Sequence, residues 1–99
     1  MILLLIIADD FTGALDTGVQ FAARGISTRV IVEPEVDFST YRDSVLVVDT
    51  ETRHLAAGEA FDIVARLTER ARAAGIRYIY KKTDSALRGN IGAELAAVL

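Results

Sequence analysis

A chain of 99 residues, 52% hydrophobic and 25% charged, is enough for one compact core and not for two. Eleven basic against fourteen acidic side chains leave a net charge of −3, without the basic surplus that a nucleic-acid backbone or an anionic lipid surface demands of a partner, so neither is expected. The absence of cysteine excludes disulfides, zinc–thiolate sites and thiol catalysis, and it fits a reducing cytoplasm as the expected compartment.

The apolar opening from Ile2 to Ala8 lacks a basic leader and a cleavage site and is too short to span a bilayer, so it reads as a core strand. The sole methionine stands first, so a natural N-terminus is expected. A helix is predicted from about Thr12 to Ala23, with Arg24-Gly25 as its stop, followed by a second strand over Thr28 to Val32. Glu33-Pro34 ends that strand because proline has no N–H for the ladder, and a polar connection leads to a third strand at Ser44 to Val48. The next helix spans roughly Ala57 to Ala74: Ala60, Val64, Leu67 and Ala71 fall on one face, and Gly75 closes it. The fourth strand is Arg77 to Tyr80, where Tyr78 and Tyr80 share a face as core or interface residues. Asn90 can cap a third helix through Ile91, Leu95 and Val98, after which the chain stops with no helix-ending signal, as if cut.

Apolar strands alternating with amphipathic helices predict an α/β fold of three layers, with a mostly parallel sheet covered on both faces, as one domain over 1–99 truncated after the third helix. Right-handed crossovers then bring the residues that follow each strand to one edge. The expected strand order is 2-1-3-4, which makes the three chemically rich tips neighbours and puts a switch point between strands one and three. Those tips hold Asp9 and Asp10; Asp49, Thr50, Glu51 and Arg53; and Lys81, Lys82, Asp84, Ser85 and Arg88.

Two carboxylates directly after a buried strand repel each other and need a counterion, a metal or hydroxyl donors; ionised carboxylates accept strongly from sugar hydroxyls. A plainer alternative has one of them cap the first helix and the other face solvent. The loop from Lys81 to Asn90 sets cations on both sides of an Asp-Ser pair just before a helix start, an arrangement suited to an anionic, hydroxylated ligand. Arg88 can clamp a carboxylate bidentately and a lysine can neutralise a phosphate, with Thr50 and Arg53 as further contributors. His54 has no partner at a spacing that would orient it and receives no role.

Three segments carry a resemblance to a known family: Ala8-Asp9-Asp10-Phe11-Thr12-Gly13-Ala14, Asp49-Thr50-Glu51-Thr52-Arg53, and Lys82-Thr83-Asp84-Ser85-Ala86-Leu87-Arg88-Gly89-Asn90. In order and spacing they resemble the N-terminal domain of four-carbon acid sugar kinases, over the first quarter or so of a typical member, with Ala86 where threonine is more usual. The resemblance implies ATP-dependent phosphorylation of a sugar acid such as threonate, erythronate or an oxo-tetronate. It also implies ATP and Mg2+ bound mainly by a C-terminal domain that this chain lacks. Some relatives carry the label type III effector Hrp-dependent outer protein. The expected roles are hydroxyl or metal binding by Asp9 and Asp10, and anion binding by Arg53, Lys82 and Arg88. Ser85 and Gly89 complete the substrate loop, and Asp84 acts as catalytic base; no metal ligands are assigned.

The rival of another class is a receiver-like domain with Asp49 as phosphoacceptor, and a third reading is a non-catalytic binding module. A phosphatase of the D-x-D-x-T type is excluded because Asp9 and Asp10 are adjacent instead of alternating. A sheet edge left open by truncation invites self-pairing, so a homodimer is also expected.

Overall fold

The computed structural model describes residues 2–33, 35–82 and 98. The chain alternates strictly: β1 (Leu4–Ala8), α1 (Phe11–Ala22), β2 (Thr28–Ile31), β3 (Val45–Asp49), α2 (Ala57–Ala73) and β4 (Tyr78–Lys81). A short 3-10 turn, Phe38–Thr40, interrupts the connection between β2 and β3. The predicted elements all appear within one or two residues at each end; the expected third helix lies outside the described residues, apart from Val98. No helix among the described residues is long and apolar enough to cross a membrane.

The sheet is parallel throughout, and its order is β2-β3-β1-β4, not the expected 2-1-3-4. In both orders the two uninterrupted apolar strands, β1 and β3, take the centre, where residues Leu5–Ala8 and Leu46–Val48 have no exposure at all. The difference lies at the edges. The α1 crossover carries the chain past β3 before β2 pairs with it, and the α2 crossover carries it back past β1 to β4. The two helices lie on opposite faces, as right-handed crossovers running in opposite directions require. The α1 face is built on Ile6, Ala8, Val45 and Val47, with Ala14 packed against them. The other face joins Leu5, Ile7, Leu46 and Val48 to Val64, Leu67 and Ala71 of α2, and Val36 and Phe38 of the β2–β3 connection close its rim.

Close approach explains one glycine on α1. A Cβ at Gly18 would stand 2.9 Å from Val30 Cγ2 and 3.6 Å from Val47 Cγ2, so the helix sits against β2 and β3 at a distance only glycine permits. Both helices end the same way. Ile26 N–H donates to Phe21 O and Gly25 N–H to Ala22 O, and the pair Ile76 to Ala71 and Gly75 to Arg72 repeats the pattern. With φ of 77° at Gly25 and 86° at Gly75, these are Schellman stops, as the Arg-Gly and Ala-Gly endings predict.

Of the two places expected for Tyr78 and Tyr80, core or interface, the core is excluded. They stand 67% and 50% exposed on the edge strand β4, facing the side that α1 covers only over β1, β2 and β3.

Candidate functional site

Because β1 lies between β3 and β4, the three polar tips do become neighbours, and the backbone ties them together. Thr50 N–H donates to Ala8 O at 2.9 Å and Lys82 N–H to Ile7 O at 2.8 Å, extending both ladders past the strands. Thr52 and Arg53 then both donate their N–H groups to Asp9 O, at 3.1 and 3.3 Å. The crossovers leave β1 and β3 toward opposite faces, so the switch point falls between these strands, as expected.

Arg53 is the centre of this edge. Its guanidinium meets Asp10 Oδ2 at 2.8 Å and Asp9 Oδ1 at 3.3 Å, with all three side chains largely withdrawn from solvent. The acidic pair has its counterion within the chain, supplied from the β3 tip. Arg53, expected as a binder of substrate charge, is engaged by two carboxylates: a fork of fixed N–H donors bridging adjacent acceptors.

Asp10 does a second task. Its backbone is extended, its Oδ1 accepts from Gly13 N–H at 2.9 Å, and it thereby caps α1. A Cβ on Gly13 would lie 2.8 Å from that oxygen, so glycine at this position makes room for the cap. The cap alternative therefore holds for Asp10, while Asp9 is buried and ion-paired instead of solvated. Thr50 does not line an anion pocket. Its hydroxyl donates to Ala8 O at 3.0 Å and lies 2.7 Å from Thr52 Oγ1, a buried latch between β3 and β1.

Asp49, one of the tip residues, is the residue that the receiver-like reading makes the phosphoacceptor. In the fold it has no exposure, and its Oδ1 accepts from Glu51 N–H at 2.9 Å. Its Oδ2 is buried with no hydrogen-bond partner. Burial pushes this carboxyl up to about 6; the Glu51 N–H opposes the rise, while the Glu51 and Asp10 carboxylates add to it. A side chain so enclosed is not presented to a phosphate donor, and the receiver-like reading fails on this point. The sequence signal was available: a carboxylate closing an otherwise apolar strand.

Lys82 stands at the β4 tip beside β1, and its carbonyl accepts from Lys81 Nζ at 2.9 Å. Asp84, Ser85, Arg88 and Gly89 lie outside the described residues. His54, to which no role was given, is exposed. A cleft of about 430 Å3, lined by residues including Ile2, Tyr41, Arg42 and Ile76, opens at the opposite end of the sheet and contains none of the expected site residues.

The N-terminus of α1, the natural phosphate cradle of such a fold, is filled by the Asp10 carboxylate. Among the described residues no three His, Cys, Asp or Glu side chains gather in a metal-holding group.

Fold and site define a small parallel α/β domain whose polar residues gather where its strands end. The chain belongs to the sugar-binding N-terminal domain family, whose model matches residues 4–99. It is 43% identical over 97 residues to the D-threonate kinase of Salmonella typhimurium, covering 97% of this chain and 23% of that protein. It is 44% identical to the D-threonate kinase of Bordetella bronchiseptica, over 93% of this chain and 24% of that one. The D-erythronate kinase of Heliobacterium modesticaldum is 36% identical over 96% of this chain and 22% of its own length. The chain thus spans about a quarter of the length of the curated relatives it matches. These relatives are named as kinases and lend the effector label no support. A crystal structure of a Bordetella bronchiseptica protein of unknown function, DUF1537, superposes with a TM-score of 0.89 at 42% identity, over 98% of this chain and 26% of that one. It is described as a domain-swapped dimer with bound citrate.

Proposed function

We propose that this chain is the acid-sugar-binding part of an ATP-dependent kinase that phosphorylates a four-carbon sugar acid of the threonate or erythronate type. The observation that carries the reading is the Asp9–Arg53–Asp10 bridge at the switch point of a sugar-binding N-terminal domain. The names of the kinase relatives supply the substrate class, and the related Bordetella protein, described with bound citrate, takes up a small hydroxylated carboxylic acid.

The charges suggest how such a substrate would lie. Asp9, Asp10 and Arg53 together carry a net negative charge, so this part of the edge accepts hydroxyl protons and repels a carboxylate. The carboxylate of the sugar acid would then point toward the β4 side, to Lys82 and, in this proposal, to Ser85, Arg88 and Gly89, which come after it in the sequence. In this assignment Asp84 takes the proton of the hydroxyl that attacks the phosphoryl group. ATP supplies that group and Mg2+ its charge neutralisation; both belong to the part of the parent protein beyond this domain, and the parent acts in the cytoplasm. A homodimer is part of the reading, on the precedent of the domain-swapped relatives.

Calorimetric titration of the full-length parent with D-threonate, D-erythronate and the uncharged four-carbon alditol threitol tests the binding. The acids should bind and threitol should bind at least about tenfold more weakly, since it lacks the charge that Lys82 and Arg88 read. Arg88→Ala should sharply lower kcat/KM for the acid. Equal affinity for acid and alditol, or unchanged turnover in that variant, would refute the assignment.

A further inference from the structure

We propose that Asp49 is a positioning residue, which through the Glu51 N–H holds the turn over residues 50–53 in the one form that delivers Arg53 to Asp9 and Asp10. The inference rests on the reading of that bridge as part of the sugar-acid site.

Three features of the turn converge on it. Glu51 has φ 53°, the only left-handed residue other than glycine among the described residues, and nothing in a glutamate favours that backbone form. The bond from Glu51 N–H to Asp49 Oδ1 at 2.9 Å closes an Asx turn across the strained position and offsets the strain. Immediately after it, Thr52 and Arg53 donate their N–H groups to Asp9 O, and the Arg53 guanidinium then reaches Asp10 Oδ2 at 2.8 Å. The geometry of one turn thus passes from β3 to the carboxylates of β1.

Stability does not account for a carboxylate here. The side chain is fully enclosed, and its second oxygen has no partner, which disfavours the folded state. A residue that serves packing alone would be apolar like Val45 and Val47, which precede it on the same face. What the carboxylate supplies is the acceptor at Oδ1, and that acceptor serves the turn.

The test uses the full-length parent labelled with 15N-arginine, with two readouts: affinity for D-threonate, and the Nη–H signals of Arg53, assigned by their loss in Arg53→Lys. Asp49→Ala should bind D-threonate about tenfold more weakly, the factor that ordinary left-handed strain amounts to, and should lose the slowly exchanging Arg53 signals of a locked guanidinium. Its melting temperature should change little, because release of a buried charge offsets the loosened turn. Glu51→Gly in the Asp49→Ala background removes the strain and should restore binding to within about threefold of wild type and bring the Arg53 signals back. A merely structural Asp49 would lower affinity and melting temperature together, and Glu51→Gly would restore neither; that result overturns the proposal. So do unchanged Arg53 signals in Asp49→Ala. If wild type shows no affinity for D-threonate while the Arg53 signals respond as described, the ligand assignment fails and the positioning role stands.

Discussion

Replacing Asp49 by asparagine should make the protein more stable, because the native carboxylate is ionised in a place that disfavours its charge. The carboxyl rises from 3.8 to about 6 on folding, mainly through burial. A shift of that size corresponds to about 3 kcal/mol between the two protonation states, at 1.36 kcal/mol per unit, and this is the upper figure for the gain. The asparagine amide keeps an oxygen for Glu51 N–H but brings its own desolvation cost, leaving an expected gain on the order of 1–2 kcal/mol at pH 7.5. For a domain of this size that raises the melting temperature by roughly 5–10 °C.

The sign of the pH dependence follows from linkage. Between about pH 4 and pH 6 the folded protein holds a proton on Asp49 that the unfolded chain has released, so this group's contribution favours folding at low pH. That contribution is lost as pH rises toward 6 and stays lost above it. Asparagine does not titrate. The stability difference should therefore move by roughly 2–3 kcal/mol in the variant's favour between pH 4 and pH 7, from slightly unfavourable at pH 4, where only the amide's desolvation cost remains, to favourable, and stay constant above pH 7, while groups common to both proteins cancel. Urea denaturation of both proteins across that range measures it. A variant less stable than wild type at pH 7.5, or a gap independent of pH, would refute the argument from burial.

Three further substitutions probe the same edge and the packing behind it. Arg53→Ala removes the counterion from two withdrawn carboxylates and should cost about 3 kcal/mol of stability in denaturant unfolding, with loss of D-threonate binding in calorimetry. Arg53→Lys should recover only part of either, because one ammonium cannot reproduce the fork. Gly13→Ala puts a Cβ 2.8 Å from Asp10 Oδ1, so the cap must give way, lowering stability by about 1 kcal/mol and weakening D-threonate binding as Asp10 turns away. Gly18→Ala drives a methyl to 2.9 Å from Val30 Cγ2 and should cost about 1–3 kcal/mol in thermal or urea unfolding while leaving D-threonate affinity unchanged, since α1 is there far from the strand tips.

The fold class was legible because period and length of the apolar pattern report local burial directly. Ile2 to Ala8 and Val45 to Val48 read as central strands, Ala60, Val64, Leu67 and Ala71 as a buried helix face, and Gly25 and Gly75 as stops; the structure keeps each of these assignments. The location of the polar edge was legible for the same reason, since in a parallel sheet every strand delivers its C-terminal residues to the same side. That one of the two carboxylates could cap the first helix was legible too; that it is Asp10 was decided by the fold.

Strand order, the partnership of Arg53 and the burial of Asp49 were decided by tertiary structure. Order depends on which face each crossover packs against, and the pattern within β2 and β4 is the same whichever of β1 or β3 they adjoin; the close seating of Gly18 on Val30 and Val47 is a contact between elements. Arg53 stands more than forty positions from Asp9, and only the adjacency of β3 to β1 turns a cation that could serve a ligand into the counterion of two carboxylates. The charge on Asp49 likewise depends on how much water α1 and the neighbouring strands exclude. Local patterns state what each residue prefers as its surroundings; which residues become those surroundings is settled when the layers close.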